Sequence, residues 1–180
     1  MKNCFLAGVS FLYFVSFTAC KKDNGSKGDT KDAQGTFSAV INNKQFIPCV
    51  PLLTIGGPIK TNFFIHTLTH PFISVSANNR CDRDYTYGRY IIVSFDSVQI
   101  VENATYKLGN AAVAARGQVK CMYSEDLINY DSDSTLPGTI TVLKYDILAQ
   151  TLSASFEATL KDMNSGQTVS LTQGRFDIKY

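Results

Sequence analysis

Hydrophobic residues recur at every second position along much of this chain. Phe37, Ala39 and Ile41 fall on one side of Ser38 and Val40, and Leu152, Ala154, Phe156, Ala158 and Leu160 alternate strictly with Ser153, Ser155, Glu157, Thr159 and Lys161. A period of two places successive side chains on opposite faces of a strand, whereas a helix needs a period near 3.6. The first run predicts a strand ending at the turn Asn42-Asn43-Lys44, with Gln45, Phe46 and Ile47 opening the next. Pro48 and Pro51 then hold Cys49 and Val50 extended at an edge or strand end.

Further strands follow from β-branched and aromatic runs at residues 62–69 and 72–77, separated by His70-Pro71. Residues 89–95 carry Ile91, Ile92 and Val93 in succession, which predicts a central strand covered on both faces. Residues 97–101 extend that sheet in this reading, Glu102-Asn103 turns the chain, and 104–108 form a short strand. Residues 111–115 are too small-sided to assign. Residues 117–123 read as strand, 124–138 as a long polar loop and 139–145 as strand again.

Asn164-Ser165-Gly166 predicts the hairpin turn after residues 152–161. The last strand changes phase, because Val169 and Leu171 are odd-numbered while Phe176, Ile178 and Tyr180 are even. A strand changes face only with an inserted residue, so a β-bulge is expected at Gln173-Gly174, with Gly supplying positive φ. Eight to ten short strands without an amphipathic helix predict an all-β fold, an antiparallel β-sandwich or, as the alternative, a small up-and-down barrel.

The N-terminus breaks this pattern. Lys2 precedes a charge-free apolar stretch at residues 4–17, the layout of a secretory signal peptide. Its fourteen residues are shorter than the ~20 a membrane-spanning helix needs. Cleavage after Ala19 by an ordinary signal peptidase would set Phe17 where a small residue belongs. Phe17-Thr18-Ala19-Cys20 instead resembles the loose lipobox of Bacteroidota lipoproteins, in which the Cys is lipidated. Two or three acyl chains anchor stably where one binds reversibly. Residues 1–19 are therefore read as signal peptide, 20–35 as lipidated Cys20 plus a polar tether, and 36–180 as one domain. In that resemblance Lys22-Asp23 begins an outer-leaflet export pattern that Asn24 interrupts, so the outer membrane is the expected location and the leaflet stays open.

Charge adds a negative statement. Residues 36–180 contain 12 basic and 12 acidic residues, which removes the electrostatic case for nucleic acid. The expected partners are the membrane, through the lipid, and an envelope protein or glycan.

A second resemblance lies in the domain itself. The segment Gly35-Thr36-Phe37-Ser38-Ala39-Val40-Ile41-Asn42-Asn43-Lys44-Gln45-Phe46 is followed by Ala104-Thr105-Tyr106-Lys107-Leu108 and by Gly138-Thr139-Ile140-Thr141-Val142 with Asp146. Leu152-Ser153-Ala154-Ser155-Phe156 and Val169-Ser170-Leu171-Thr172-Gln173-Gly174-Arg175-Phe176 complete the pattern. This resembles a group of Bacteroidota lipoproteins defined only as a domain of unknown function. The resemblance implies an extracytoplasmic β-rich domain and carries no activity or site residues.

The chemistry on offer is sparse. With Cys4 in the signal and Cys20 as anchor, Cys49, Cys81 and Cys121 remain in an oxidising compartment, and Cys49–Cys81 is the favoured disulfide. His66 and His70, four apart on a strand, lie ~13 Å from each other and make no metal pair. Asp82, Asp84 and the acids of residues 131–134 read as solvated loop carboxylates and not as a calcium site. Arg80 and Arg83 with Tyr85, Tyr87 and Tyr90 form the candidate face for a glycan or small ligand, although the chain has no Trp. No Gly-x-Ser-x-Gly elbow or phosphate-binding glycine loop is present. No catalytic residue, metal ligand or cofactor is expected. The leading expectation is a non-enzymatic envelope lipoprotein with a binding or structural role, a glycan- or ligand-binding module comes second, and an enzyme is third.

Overall fold

Among the described residues, eleven strands follow one another in chain order: β1 (Gln34–Ile41), β2 (Lys44–Phe46), β3 (Ile59–Phe64), β4 (Phe72–Asn79), β5 (Arg89–Asp96), β6 (Thr105–Lys107), β7 (Gln118–Glu125), β8 (Ile128–Ser132), β9 (Gly138–Asp146), β10 (Thr151–Lys161) and β11 (Thr168–Lys179). The structure, a computed structural model, describes residues 34–49, 57–64, 72–80, 88–113 and 116–179, and among them there is no helix. Every pairing between these strands is antiparallel.

The strands form one continuous sheet in the order β2-β1-β11-β10-β8-β7-β5-β4-β3, with β9 and β6 as a side branch on β10. β10 is the fork. Its residues 151–158 pair with β9, while Leu160 and Lys161 pair with Ser132 and Asp131 of β8. One wing therefore holds β2, β1, β11, β10, β9 and β6, and the other holds β8, β7, β5, β4 and β3. Two parallel bridges tie the wings together again, Leu108 to Val119 and Cys49 to Asn79. The sheet is not closed among the described residues, so the layout is that of a sandwich and not of a barrel.

A single core fills the space between the wings. Phe37, Phe46, Ile140, Val142, Leu152, Phe156, Leu160, Leu171, Phe176 and Ile178 come from the first; Ile73, Val75, Ile91, Val93, Phe95, Val119 and Tyr123 come from the second. Phe37 stacks on Phe176 at 6.0 Å and meets Phe156 at 5.7 Å. Each such fully buried side chain contributes about 1.5–3 kcal/mol of apolar transfer.

Local chemistry sets the turns. Asn42 and Asn43 adopt φ of 45° and 65°, the pair of left-handed residues that a two-residue type I′ hairpin requires. Asn is among the few non-glycine residues that accept this region readily. The Asp146 carboxylate accepts the N–H groups of Leu148 (2.9 Å) and Ala149 (2.8 Å) and so shapes the β9–β10 turn. Asp162 does the same for Asn164 (2.9 Å) and Ser165 (3.1 Å) between β10 and β11, and also accepts the Ser165 hydroxyl. These hydrogen bonds hold the Asp162 carboxyl below its ordinary range, the Ser165 hydroxyl contributing most.

The phase change in the last strand is a bulge on β11, felt by both neighbours. Ser38 pairs with Arg175 and Val40 with Thr172 on one side, while Phe156 pairs with Gly174 and Ala158 with Leu171 on the other. The expected position is right and the expected reason is not. Gln173 takes the positive φ, 52°. Gly174 is required because a Cβ there would stand 2.6 Å from three carbons of the Phe156 ring.

Other expectations need correction. Residues 124–138 are not a long loop: β7 runs to Glu125, turns at Asp126-Leu127 and returns as β8. Residues 97–101 do not extend the sheet, because Ser97 at φ 55° ends β5 and Tyr106 holds the following segment in an irregular path. β5 is central, between β4 and β7, but only Ile91, Val93 and Phe95 are buried; Ile92 is half-exposed on the other face. The third strand begins at Ile59, earlier than read, and residues 65–71 lie outside the described residues. β9 carries a second bulge that alternation did not reveal, with Leu143 inserted between partners of Ser153 and Ala154.

Candidate functional site

The outward positions of β9, β10 and β11 are dominated by hydroxyls: Thr139, Thr141, Ser153, Ser155, Thr159, Ser170 and Thr172. Where the short β6 adds Thr105 and Lys107, this face hollows into a groove of about 560 Å³. Its lining includes Thr105, Lys107, Thr139, Glu157, Thr159, Ser170 and Thr172, with Pro137 and Gly138 at one side. Such a volume is within the ordinary range for small-ligand sites.

Register fixes the groove's polar order. Thr139 pairs with Lys107 on one side and with Glu157 on the other. The two charges thus bracket a threonine, their backbones two strand spacings or about 10 Å apart. One step along, Thr105 pairs with Thr141 and their hydroxyl oxygens lie 2.9 Å apart; Thr141 pairs with Ser155, and Ser155 with Arg175. The side chains stand on paired strands, so their spacing is set by the sheet and not by a loop.

Two smaller depressions share walls with this groove. One of about 240 Å³ uses Thr139 and Glu157 together with Thr141, Ser155, Gln173 and Gly174. Another of about 420 Å³ uses Thr105 and Lys107 with Val98, Tyr106, Gly109, Gln118 and Val119. Gln118 Oε1, in this last depression, is a buried acceptor with no hydrogen-bond partner. The three adjoin one another across the strands as a trough whose walls are apolar at Pro137, Ala158, Leu171 and Val119 and whose polar groups are mostly hydroxyls, which both donate and accept hydrogen bonds.

The face expected from sequence is only partly described. Tyr85, Tyr87, Arg83, Asp82 and Asp84 lie outside the described residues, as do His66 and His70. Arg80 is exposed, and its side chain lies across Gly88, where a Cβ would stand 2.6 Å from Arg80 Cγ. Tyr90 is half-buried and its hydroxyl reaches Asn129 Oδ1 at 3.4 Å. The grooves described above use neither residue. Among the described residues, no group of three or more His, Cys, Asp or Glu side chains could hold a metal ion. The acids at 131–134 have structural neighbours: Asp133 Oδ1 accepts the Thr135 N–H and hydroxyl, both at 2.9 Å, which lowers its pKa. Ser132 bridges Cys121 N–H (3.1 Å) and the Gly109 carbonyl (2.7 Å).

Cysteine chemistry divides cleanly. Cys49 is disulfide-bonded, and Cys121 is a buried free thiol. Cys81 lies outside the described residues, but the backbone leading to it is paired with Cys49: Cys49 N–H donates to Asn78 O (2.8 Å) and Arg80 N–H to Cys49 O (2.9 Å). The Cys49 sulfur also sits 3.6 Å from Asn79 Oδ1, a contact and not a hydrogen bond, since a disulfide sulfur carries no proton.

Sequence reading missed the trough. Thr105, Thr139, Thr159 and Thr172 occupy the wet face of ordinary strands, and threonine there signals β propensity before it signals a ligand. No family, curated protein or solved structure matches this chain.

Proposed function

We propose that this chain is a non-enzymatic binding module of the cell envelope, anchored at the outer membrane through lipidated Cys20, and that the trough across β6, β9, β10 and β11 is its ligand site. The anchor rests on the signal-like residues 4–17 and the lipobox-like Phe17-Thr18-Ala19-Cys20. The ligand class rests on one observation: a groove of about 560 Å³ whose polar lining is hydroxyls bracketed by a single cation and a single anion. A polyhydroxylated, uncharged, elongated molecule fits that lining, and glycans are the class that combines those properties. No aromatic ring lines the main groove to stack on a sugar face, and of the two in the adjoining depressions Phe156 is buried and Tyr106 is held by its hydroxyl to Gln99 O and by its ring against Phe95. Hydrogen bonds of about 0.5–1.5 kcal/mol each must then carry recognition, which sets affinities between micromolar and millimolar.

Titration calorimetry of the lipidated protein in detergent with neutral oligosaccharides tests the ligand class. Thr139→Val keeps the strand and removes the central hydroxyl; Glu157→Gln removes the anion. Binding that Thr139→Val weakens about tenfold, roughly 1.4 kcal/mol, supports the reading. Saturable binding unaffected by either substitution places the site elsewhere, and an absence of binding at millimolar glycan rejects the class. Fractionation of Cys20→Ala cells tests the anchor independently: protein that still sediments with the outer membrane rejects lipidation at Cys20.

A further inference from the structure

We propose that the β9–β10 hairpin tip is a second membrane contact, with Leu148 entering the lipid surface at the end of the domain where the anchor attaches. The proposal rests on the lipid-anchored reading above. Register supplies the placement. Gln34, the first residue of β1, pairs with Lys179; Lys179 pairs with Thr151, and Thr151 with Asp146. The point where the chain arrives from Cys20 and the root of the hairpin are thus one row, three strand spacings or about 15 Å apart. Fourteen steps of chain from Cys20 to Gln34 span at most about 50 Å. The tether therefore joins the sheet at this end, which has a bilayer within its reach.

The tip itself is built to present an apolar side chain. Leu148 is 94% exposed, yet its N–H is fixed by the Asp146 carboxylate, which also takes the Ala149 N–H. Val101 and Leu143, also exposed, lie nearer the middle of β9, where Asn103 N–H donates to Val142 O. The nearby acids are partly occupied: Asp146 caps its own turn, and Asp177 Oδ1 accepts the Ser153 hydroxyl at 2.8 Å. Lys144 and Lys179 are exposed toward the hairpin end, and Glu102 is exposed beside Val101. A lone exposed apolar side chain is ordinary on a soluble surface. One whose backbone is fixed, at the end of the sheet where a lipid anchor attaches, has a bilayer within reach.

The test uses the full lipidated protein reconstituted in phosphatidylethanolamine–phosphatidylglycerol vesicles. Ala149→Cys places a fluorophore at the tip while keeping Leu148; Thr168→Cys places one at the opposite end of β11. Native Cys49 is in a disulfide and Cys121 is buried, so both leave the label to the new thiol. The expected result is blue-shifted emission at 149, quenched about twofold or more by a lipid-borne quencher, as for a group ~5–10 Å into the headgroup boundary. The probe at 168 stays unquenched, and adding Leu148→Asp abolishes the effect at 149 while flotation persists. Floating protein with no quenching at 149, equal quenching at both sites, or quenching that survives Leu148→Asp overturns the proposal. Protein that does not float rejects the anchor, and the second contact with it.

Discussion

Phe156 occupies the space that a side chain at Gly174 would take. Three carbons of its ring lie 2.6 Å from where a Cβ would sit. Phe156 is buried, packed between Phe37 and Phe176, and cannot swing away. Gly174→Ala should cost about 2–3 kcal/mol by overpacking. Gln173→Gly should instead stabilise by up to about 1 kcal/mol, because Gln173 and not Gly174 holds the positive φ. Urea unfolding of the two variants separates these roles; destabilisation by Gln173→Gly would contradict the assignment.

Asp126 and Leu127, at φ of 51° and 68°, form the same kind of two-residue turn as Asn42-Asn43 with less suitable residues. Leu127 is also 77% exposed, so no burial offsets its strain. Replacing the pair by Asn-Gly should raise stability by about 1 kcal/mol, read as a higher melting temperature. An unchanged or lower value would mean that Leu127 makes a compensating contact.

That turn explains where sequence reading stopped. Alternation identified β1, β10 and β11 because one face of each meets the core. It missed β8 because only Tyr130 and Ser132 of that strand are buried, and because Asp-Leu gives no turn signal. The β11 bulge was legible as an odd-to-even switch of Val169, Leu171, Phe176 and Ile178. The trough was not, because Lys107, Thr139 and Glu157 lie far apart in sequence and meet only through strand register.

Tyr106 holds the stretch that alternation had assigned to the sheet. Its hydroxyl donates to Gln99 O and accepts the Val101 N–H, both at 2.8 Å, while its ring packs edge-on against Phe95. A tyrosine bonded back to upstream backbone is a recurring corner in β-sandwiches. Tyr106→Phe keeps the ring and removes both bonds. Water can replace them at this exposed site, so the loss should be about 1 kcal/mol. Amide exchange should accelerate at Val101 first; uniform acceleration across β9 would argue for a wider disruption.

Cys49 is expected to pair with Cys81. Peptide mapping without reduction should yield that link, with Cys121 alkylated only after unfolding. By loop-closure entropy a link from 49 to 81 stabilises by about 3–4 kcal/mol, so Cys49→Ser should lower stability by that order. A recovered peptide joining Cys121 to either partner would refute the pairing.

Burial, and after it the charge of Asp131, pushes the Cys121 thiol up to about 12 from an ordinary 9.0. Between those values the unfolded thiol ionises while the folded one keeps its proton. The unfolded state then binds fewer protons, and stability falls as pH rises, by about 1.4 kcal/mol per unit for this group alone. The contribution is complete below pH 9 and is lost progressively toward 12. Tyr123, also raised by burial and by its hydrogen bond to Glu125, adds to the loss above its ordinary value of 10.0. Cys121→Ala removes the thiol's share at the cost of a small cavity, so the variant should be the less stable at pH 7 and lose less between pH 9 and 10. Denaturation midpoints across that interval decide it: equal slopes for the two proteins would show that the thiol does not govern the alkaline limb.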